Sequence, residues 1–178
     1  MNIKKTFIKD LYILTQLKKL DNRGFFSRVY CSKFLNKKFK KICQINKSFS
    51  KNKFTLRGLH YQAHPLEEDK IIICTKGSIY DVAVDLRKKS KTYGKWKSII
   101  LSENDNKMFL IPKGFAHGFL TLKNNTEVLY LVSQYYNKEK ERGYIYNDPN
   151  FSIKWPYKPK ILSNKDKSLP FFKLNNSI

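Results

Sequence analysis

The sequence predicts an all-β domain, a sandwich or a barrel, with at most short peripheral helices. Three observations carry this. Short apolar runs alternate with turn residues through most of the chain, the pattern of many short strands. Helix signals are weak throughout. The 178 residues, 41% hydrophobic and 15% aromatic, suffice for one core, and seven glycines and six prolines are too few for a low-complexity chain. A single domain over residues 1–178 follows, without internal repeats.

The elements follow in order. Arg57-Gly58-Leu59-His60-Tyr61-Gln62 reads as a strand with a flexible hinge at Gly58. Residues 70–74 are a second strand and 78–86 a third, and Lys76-Gly77 between them suits a hairpin turn. In the third strand Tyr80, Val82, Val84 and Leu86 share one face and Asp81, Ala83 and Asp85 the other. Two carboxylates on one face suggest a polar cavity, or pairing with surface lysines. Residues 108–111 form another strand, ended by Pro112-Lys113-Gly114. A hairpin is expected from 117–122 and 127–136 around Lys123-Asn124-Asn125-Thr126. Closed symmetrically, it sets Phe119 opposite Tyr130, and His117, Phe119, Val128, Tyr130 and Val132 line one face. Segments 32–41 and 137–141 suit a short turn or helix. The tail after Trp155-Pro156 reads as extended or mixed, with Pro170-Phe171-Phe172 as an apolar anchor.

The net charge of +22 suits an anionic ligand or nucleic acid. The lysines are dispersed in pairs such as Lys4-Lys5, Lys37-Lys38 and Lys88-Lys89, amid abundant Asn and Ile, with no arginine-rich helix. Compositional drift with some steering of anions is therefore favoured over dedicated nucleic-acid binding. Cys31, Cys43 and Cys74 are an odd, scattered set, which argues against a disulfide framework or structural zinc. Lys9 and Asp10 interrupt any signal-peptide core, and no run reaches membrane-span length. A cytoplasmic protein without membrane contact is expected.

Chemistry concentrates around His60. A histidine accepts a proton near neutral pH, Lys70 can stabilise the negative charge left behind, and the fork of Arg57 suits a phosphate. Together they fit proton removal from carbon on a phosphorylated metabolite. Tyr130 is a candidate acid or a core aromatic with its hydroxyl at the rim. Asp166 can orient an imidazole or be a solvated tail aspartate. Pro112 to His117 resembles half of a cupin metal motif, but the chain has only His60, His64 and His117, and His64 precedes a proline. The ligand set is incomplete, so no metal and no cofactor is expected. No Gly-x-Ser-x-Gly and no glycine-rich phosphate loop occurs.

An ordered series of motifs carries a family resemblance: Asp21-Asn22-Arg23-Gly24-Phe25-Phe26, Gln44-Ile45-Asn46, Leu56 to Gln62, Asp81 to Arg87, Ile111 to Phe119, Tyr130, Asn147-Asp148-Pro149 and Ile153-Lys154-Trp155-Pro156. The chain resembles the dTDP-4-dehydrorhamnose 3,5-epimerases over about residues 11–170. The resemblance implies a cupin-type jelly-roll β-sandwich, a metal-free homodimer, and epimerisation of dTDP-4-dehydro-6-deoxy-D-glucose at C3 and C5 on the way to dTDP-L-rhamnose. It puts the base on His60, its orienting carboxylate on Asp166, the acid on Tyr130 and the enolate-stabilising lysine on Lys70. Substrate contacts fall on Arg23, Arg28, Gln44, Asn46, Arg57, His117, Glu141 and Lys165. Arg28 stands where the family commonly has glutamate, and Leu131 and Val132 stand where lysine and threonine are common. The alternatives are a mono-epimerase, an epimerase of another 4-keto nucleotide sugar, a non-catalytic sugar- or anion-binding cupin, and a metal-dependent oxygenase.

Overall fold

The computed structural model describes residues 1–35, 38, 39 and 41–173. In chain order the strands are β1 (Asn2–Lys5), β2 (Tyr12–Thr15), β3 (Lys18–Asp21), β4 (Gly24–Ser27), β5 (Gln44–Ser50), β6 (Leu56–Gln62) and β7 (Lys70–Lys76). They continue as β8 (Ser78–Asp85), β9 (Trp96–Ser102), β10 (Lys107–Ile111), β11 (Phe115–Thr121), β12 (Thr126–Val132) and β13 (Glu141–Gly143). Two short helices, α1 (Ser32–Leu35) and α2 (Asn164–Lys167), are peripheral. One sheet has the order β1-β2-β10-β7-β12-β5, the other β13-β6-β11-β8-β9, and β3-β4 is a separate hairpin. No described helix is long and apolar enough to cross a membrane.

Side-chain alternation explains the layers. In β7, Ile72 and Cys74 enter the core between the sheets with Phe109, Phe119 and Val128. Ile71 and Ile73 point the other way, into a second cluster with Leu14, Leu35, Met108 and Phe39. Both faces of β7 are covered, which is why its sequence is continuously apolar rather than alternating. On the outer face of the second sheet Leu59, Val82, Val84 and Ala116 pack under Phe151 and Phe172 of the tail. Tyr80 and Leu86 join this cluster while Ala83 faces the inner core, as the face assignment for 78–86 expects.

Two expected hairpins do not form. β7 and β8 lie in different sheets, and so do β11 and β12. Gly77 is the corner between sheets: its φ is +81°, and a Cβ there would lie 2.4 Å from Thr126 Oγ1. Tyr130 is in register with Asn46 and Ile72, and Phe119 with Asp81 and Arg57. Yet Phe119 and Tyr130 do meet, with ring centroids 6.3 Å apart. They face each other across the sandwich instead of along a ladder. The two-residue period encodes a face and leaves the partner strand open.

Other expectations need smaller corrections. β12 stops at Val132 rather than at 136, whereas residues 138–140 form a turn, as expected over 137–141, leading into β13. The helix expected over 32–41 is seen over Ser32–Leu35, while residues 36, 37 and 40 lie outside the described set. Asp85 does not mark a cavity. Its carboxylate binds Arg87 Nε at 2.9 Å, Ser90 Oγ at 2.6 Å and Thr92 Oγ1 at 2.7 Å, closing the turn after β8. Burial opposes ionisation there, but these donors hold the carboxyl below the usual range.

The tail is anchored by Phe172, which is buried, while Phe171 is exposed. Burying the Phe151 and Phe172 rings contributes about 1.5–3 kcal/mol each. Ordering the backbone costs about 1–2 kcal/mol per residue. Two rings therefore offset the ordering of only a few residues, and the tail also depends on its hydrogen bonds to the rest of the chain.

Candidate active site

β6 carries the first half of the site. At Gly58 the φ is +119°, and a Cβ would lie 2.5 Å from Gly118 Cα and 2.7 Å from His117 O. The glycine is thus a close approach between β6 and β11, where the register shifts, rather than a hinge. This crossing leaves His60 directly across the ladder from His117.

Asp166 comes to His60 from the tail. Ser163 caps α2, its hydroxyl accepting from Asp166 N at 3.0 Å. Asp166 Oδ1 then lies 2.6 Å from His60 Nε2, and Oδ2 accepts from Gly58 N at 3.4 Å. Asp166 is buried, which alone would raise its pKa. The hydrogen bond and charge of His60, with the Gly58 N–H and Ser163, outweigh this and hold the carboxyl below the usual range. An ionised Asp166 makes Nε2 the donor and leaves Nδ1 as the proton acceptor of the ring.

The opposite sheet supplies Tyr130, Asn46 and Gln44. Tyr130 Oη is 3.0 Å from Ser48 Oγ. Burial raises the Tyr130 phenol strongly, beyond what Ser48 and the Arg57 charge offset, so it stays protonated at neutral pH. Gln44 Nε2 donates to Asn46 Oδ1 at 2.8 Å, and Gln44 Oε1 accepts from Tyr136 N at 3.1 Å. Lys70, at the head of β7, is paired with Glu68 at 3.0 Å. Arg57 donates to Ser50 Oγ at 3.3 Å and to Phe49 O at 3.1 Å.

These side chains converge on one cavity of about 560 Å³ between the sheets. Its lining includes Gln44, Asn46, Arg57, His60, Lys70, Tyr130, Lys165 and Asp166. Glu141 sits beside it, 2.5 Å from Lys165 and accepting from Tyr136 Oη at 2.8 Å. Despite its burial, these partners hold the Glu141 carboxyl below its ordinary value. His117 is not a lining residue. It is buried 2.5 Å from Asp81, with its ring 6.3 Å from that of Tyr130. Desolvation pushes the Asp81 carboxyl up against the pull of His117, and Asp81 Oδ2 has no hydrogen-bond partner.

Arg23 and Arg28 are not brought to this cavity within one chain. Arg23, in the turn of the β3–β4 hairpin, is 86% exposed and bonded to Asp21 at 2.7 Å. Arg28 lines a separate hollow with Leu17, Phe26 and Phe34. His64 is exposed beside Glu67, and no group of three or more His, Cys, Asp or Glu side chains suited to a metal converges among the described residues. Ser48, Glu68 and Tyr136 line the cavity without having been expected there. Ser163, also a lining residue, had a signal: Ser-x-x-Asp is a helix-start pattern.

Comparison with known proteins decides the family. Residues 5–174 match the family model described as dTDP-4-dehydrorhamnose 3,5-epimerase. The chain belongs to the dTDP-4-dehydrorhamnose 3,5-epimerase family. It is 39% identical to the Shigella flexneri enzyme of that name over 168 residues, 93% of each chain. It is 39% identical to the Escherichia coli K12 enzyme over 176 residues, 95% of this chain and 93% of the relative. The structure superposes on that of the Bacillus anthracis enzyme, bound to TDP and PPi, with a TM-score of 0.93, at 40% identity over 96% of this chain and 99% of the other. For a Legionella pneumophila family member in complex with dTDP-4-keto-L-rhamnose the TM-score is 0.90, at 37% identity over 96% and 92%. The activity is accordingly that of a dTDP-4-dehydrorhamnose 3,5-epimerase, an isomerase, on a cupin fold.

Proposed function

We propose that the reaction runs through the cavity between the sheets, with His60 as base and Tyr130 as acid on opposite sides of the sugar ring. The observation that supports this most is the pairing of His60, on one sheet, with Asp166 of α2, facing a protonated Tyr130 on the other sheet. A 4-keto group acidifies the hydrogens on both flanking carbons. His60 removes one, and the resulting imidazolium is stabilised by Asp166. Lys70 stabilises the enolate. Tyr130 returns a proton to the opposite face, which inverts the centre. The substrate is a nucleoside-diphosphate 4-keto-6-deoxy sugar, dTDP-4-dehydro-6-deoxy-D-glucose. Arg57 and Lys165 meet its phosphates, and Gln44 and Asn46 the sugar or base.

The test is solvent deuterium incorporation into dTDP-4-dehydro-6-deoxy-D-glucose followed by NMR. Deuterium at both C3 and C5 with inversion at each is expected. Label at one carbon only identifies a mono-epimerase, and no label refutes the proton-transfer reading.

The active unit is proposed to be a homodimer. The β3–β4 hairpin exposes Leu20, Phe25 and Phe26 at 80%, 58% and 66%, an apolar surface that a second copy would cover. It also carries Arg23, which in one chain points at no cavity. A second copy that receives this hairpin near its site gains Arg23 and Arg28 as phosphate contacts. Co-expression of Arg23→Ala and His60→Ala chains tests this. Each alone should be impaired, and mixed dimers should recover up to one working site in two. No recovery means Arg23 does not act across the interface.

A further inference from the structure

We infer that Asp148, in the Asn147-Asp148-Pro149 motif, is a positioning residue for the His60–Asp166 pair, acting by clasping the tail at Phe172. The inference rests on the reading of that pair as the catalytic base and its orienting carboxylate. Asp148 lies outside the cavity lining, so any effect on the chemistry travels through the chain that holds Asp166.

The geometry of the clasp is specific. Asp148 is 1% exposed. Its Oδ1 accepts from Asn150 N at 2.8 Å, and its Oδ2 accepts from Phe172 N. Asn150 Nδ2 donates in turn to Phe172 O at 2.8 Å. Both backbone polar groups of Phe172 are thus held by side chains of the 148–150 turn. The Phe172 ring packs on Phe151, Tyr144 and Tyr93, with centroids 4.6, 5.2 and 5.4 Å away. Just before it, Pro170 O accepts from Ile145 N at 3.0 Å. Leu169 presses on Gly143, where a Cβ would lie 2.9 Å from its methyl carbon, and Gly143 pairs with His60.

On its other side the tail is fastened at Ile161, whose carbonyl accepts from Leu56 N at 2.9 Å, at the start of β6. Between Ile161 and the 169–172 fastening runs one short span carrying α2. A four-residue helix has little cohesion of its own. The position of Asp166 is therefore set by the two fastenings together with its own bonds to His60 and Gly58 N. The first is built on β6 itself, and the second is closed by Asp148. Releasing Phe172 leaves that end held only by the Pro170–Ile145 bond and the Leu169–Gly143 contact, and so loosens the carboxylate that orients His60. Ground-state binding keeps its contacts on β5, β6 and β7 and is disturbed only at Lys165, which rides on the same span.

A double-mutant cycle tests this, using the deuterium and epimerisation assay on the intact protein. In the native background Asp148→Ala should lower kcat about tenfold or more, as for misplacement of a catalytic group, with a smaller rise in KM because Lys165 rides on the same span. In an Asp166→Asn background the same change should cost less than about twofold, because the group it positions is already disabled. Hydrogen exchange in Asp148→Ala should rise across residues 163–172 and stay native in β6, β11 and β12. An equal factor in both backgrounds overturns the inference and makes Asp148 a general stabiliser. A loss with Asp166→Asn but none with Asp148→Ala overturns the clasp while sparing the base pair. No loss with Asp166→Asn refutes the base-pair reading itself, and the inference falls with it. Should Asp148→Ala not fold, Asn150→Ala removes only the second arm of the clasp, and the same non-additivity is expected at a smaller factor. Additive costs there overturn the inference as well.

Discussion

His60→Ala is expected to abolish deuterium exchange at both C3 and C5, with a fall in kcat of about 10²- to 10⁴-fold, the usual contribution of a general base. That range corresponds to about 3–5 kcal/mol of transition-state stabilisation. Both carbons should respond together, because the cavity offers one imidazole in its lining. His117 is tied up with Asp81 and does not line it. The alanine also strips Asp166 of its largest favourable partner, so part of any loss is structural. His60→Gln is the control: its side-chain N–H can still donate to Asp166, yet it accepts no proton at neutral pH. Both variants should be inactive, with His60→Gln the more stable. The sign of the pH effect follows from Asp166. Its folded pKa is depressed, so the stability it contributes is present above the unfolded value of about 4 and is lost as pH falls through the folded value. Removing His60 raises that folded value, so the acid-dependent loss of stability from Asp166 should be smaller and complete at higher pH than in the native protein. Exchange at a near-native rate at either carbon in both variants moves the base elsewhere in the cavity lining.

The sequence made some of this legible and hid the rest for physical reasons. The continuous run Ile71-Ile72-Ile73-Cys74 announced a strand, and the alternation in 78–86 announced which side chains share a face. Strand partners were hidden, because the period of two is silent about which sheet comes next. Hence the 117–136 segment was expected as a hairpin, although its two strands face each other across the sandwich. His117 and Tyr130 end up near each other either way. β1 and β3 show little apolar alternation because they are mostly exposed, lysine-bearing strands. His60, Lys70 and Arg57 were readable as chemistry from residue type and proximity in sequence. Asp166 is 106 positions from His60, so only the family resemblance tied the two. Ser48 leaves no trace at all, since a serine in an edge strand looks like any solvated serine until Tyr130 is seen above it. Arg23 and Arg28 were readable as substrate contacts by resemblance, but nothing local says that a single chain leaves them outside the cavity.

Tyr130→Phe is expected to separate proton removal from inversion. The ring still packs against His117 and Phe119. Only the hydroxyl and its bond to Ser48 are lost, a net cost of about 0.5–1.5 kcal/mol, so the fold should survive. His60 and Asp166 remain intact, and the enolate still forms beside Lys70. Exchange with solvent should therefore persist in part, the proton being returned by His60 to the face it left. Inversion needs a donor on the opposite sheet. In the native protein burial keeps the Tyr130 phenol protonated, which suits it to supply that proton. Without it, epimer formation should fall about 100-fold or more, as for a lost general acid. The measurement is the ratio of deuterium incorporated to epimer formed, taken on the same samples by NMR for the variant and the native enzyme. A ratio that rises by one to two orders of magnitude supports two proton carriers on opposite sheets. If exchange and inversion fall by the same factor, Tyr130 acts before the enolate forms. If neither falls, the proton for the opposite face comes from another group, and the two-sided mechanism must be abandoned.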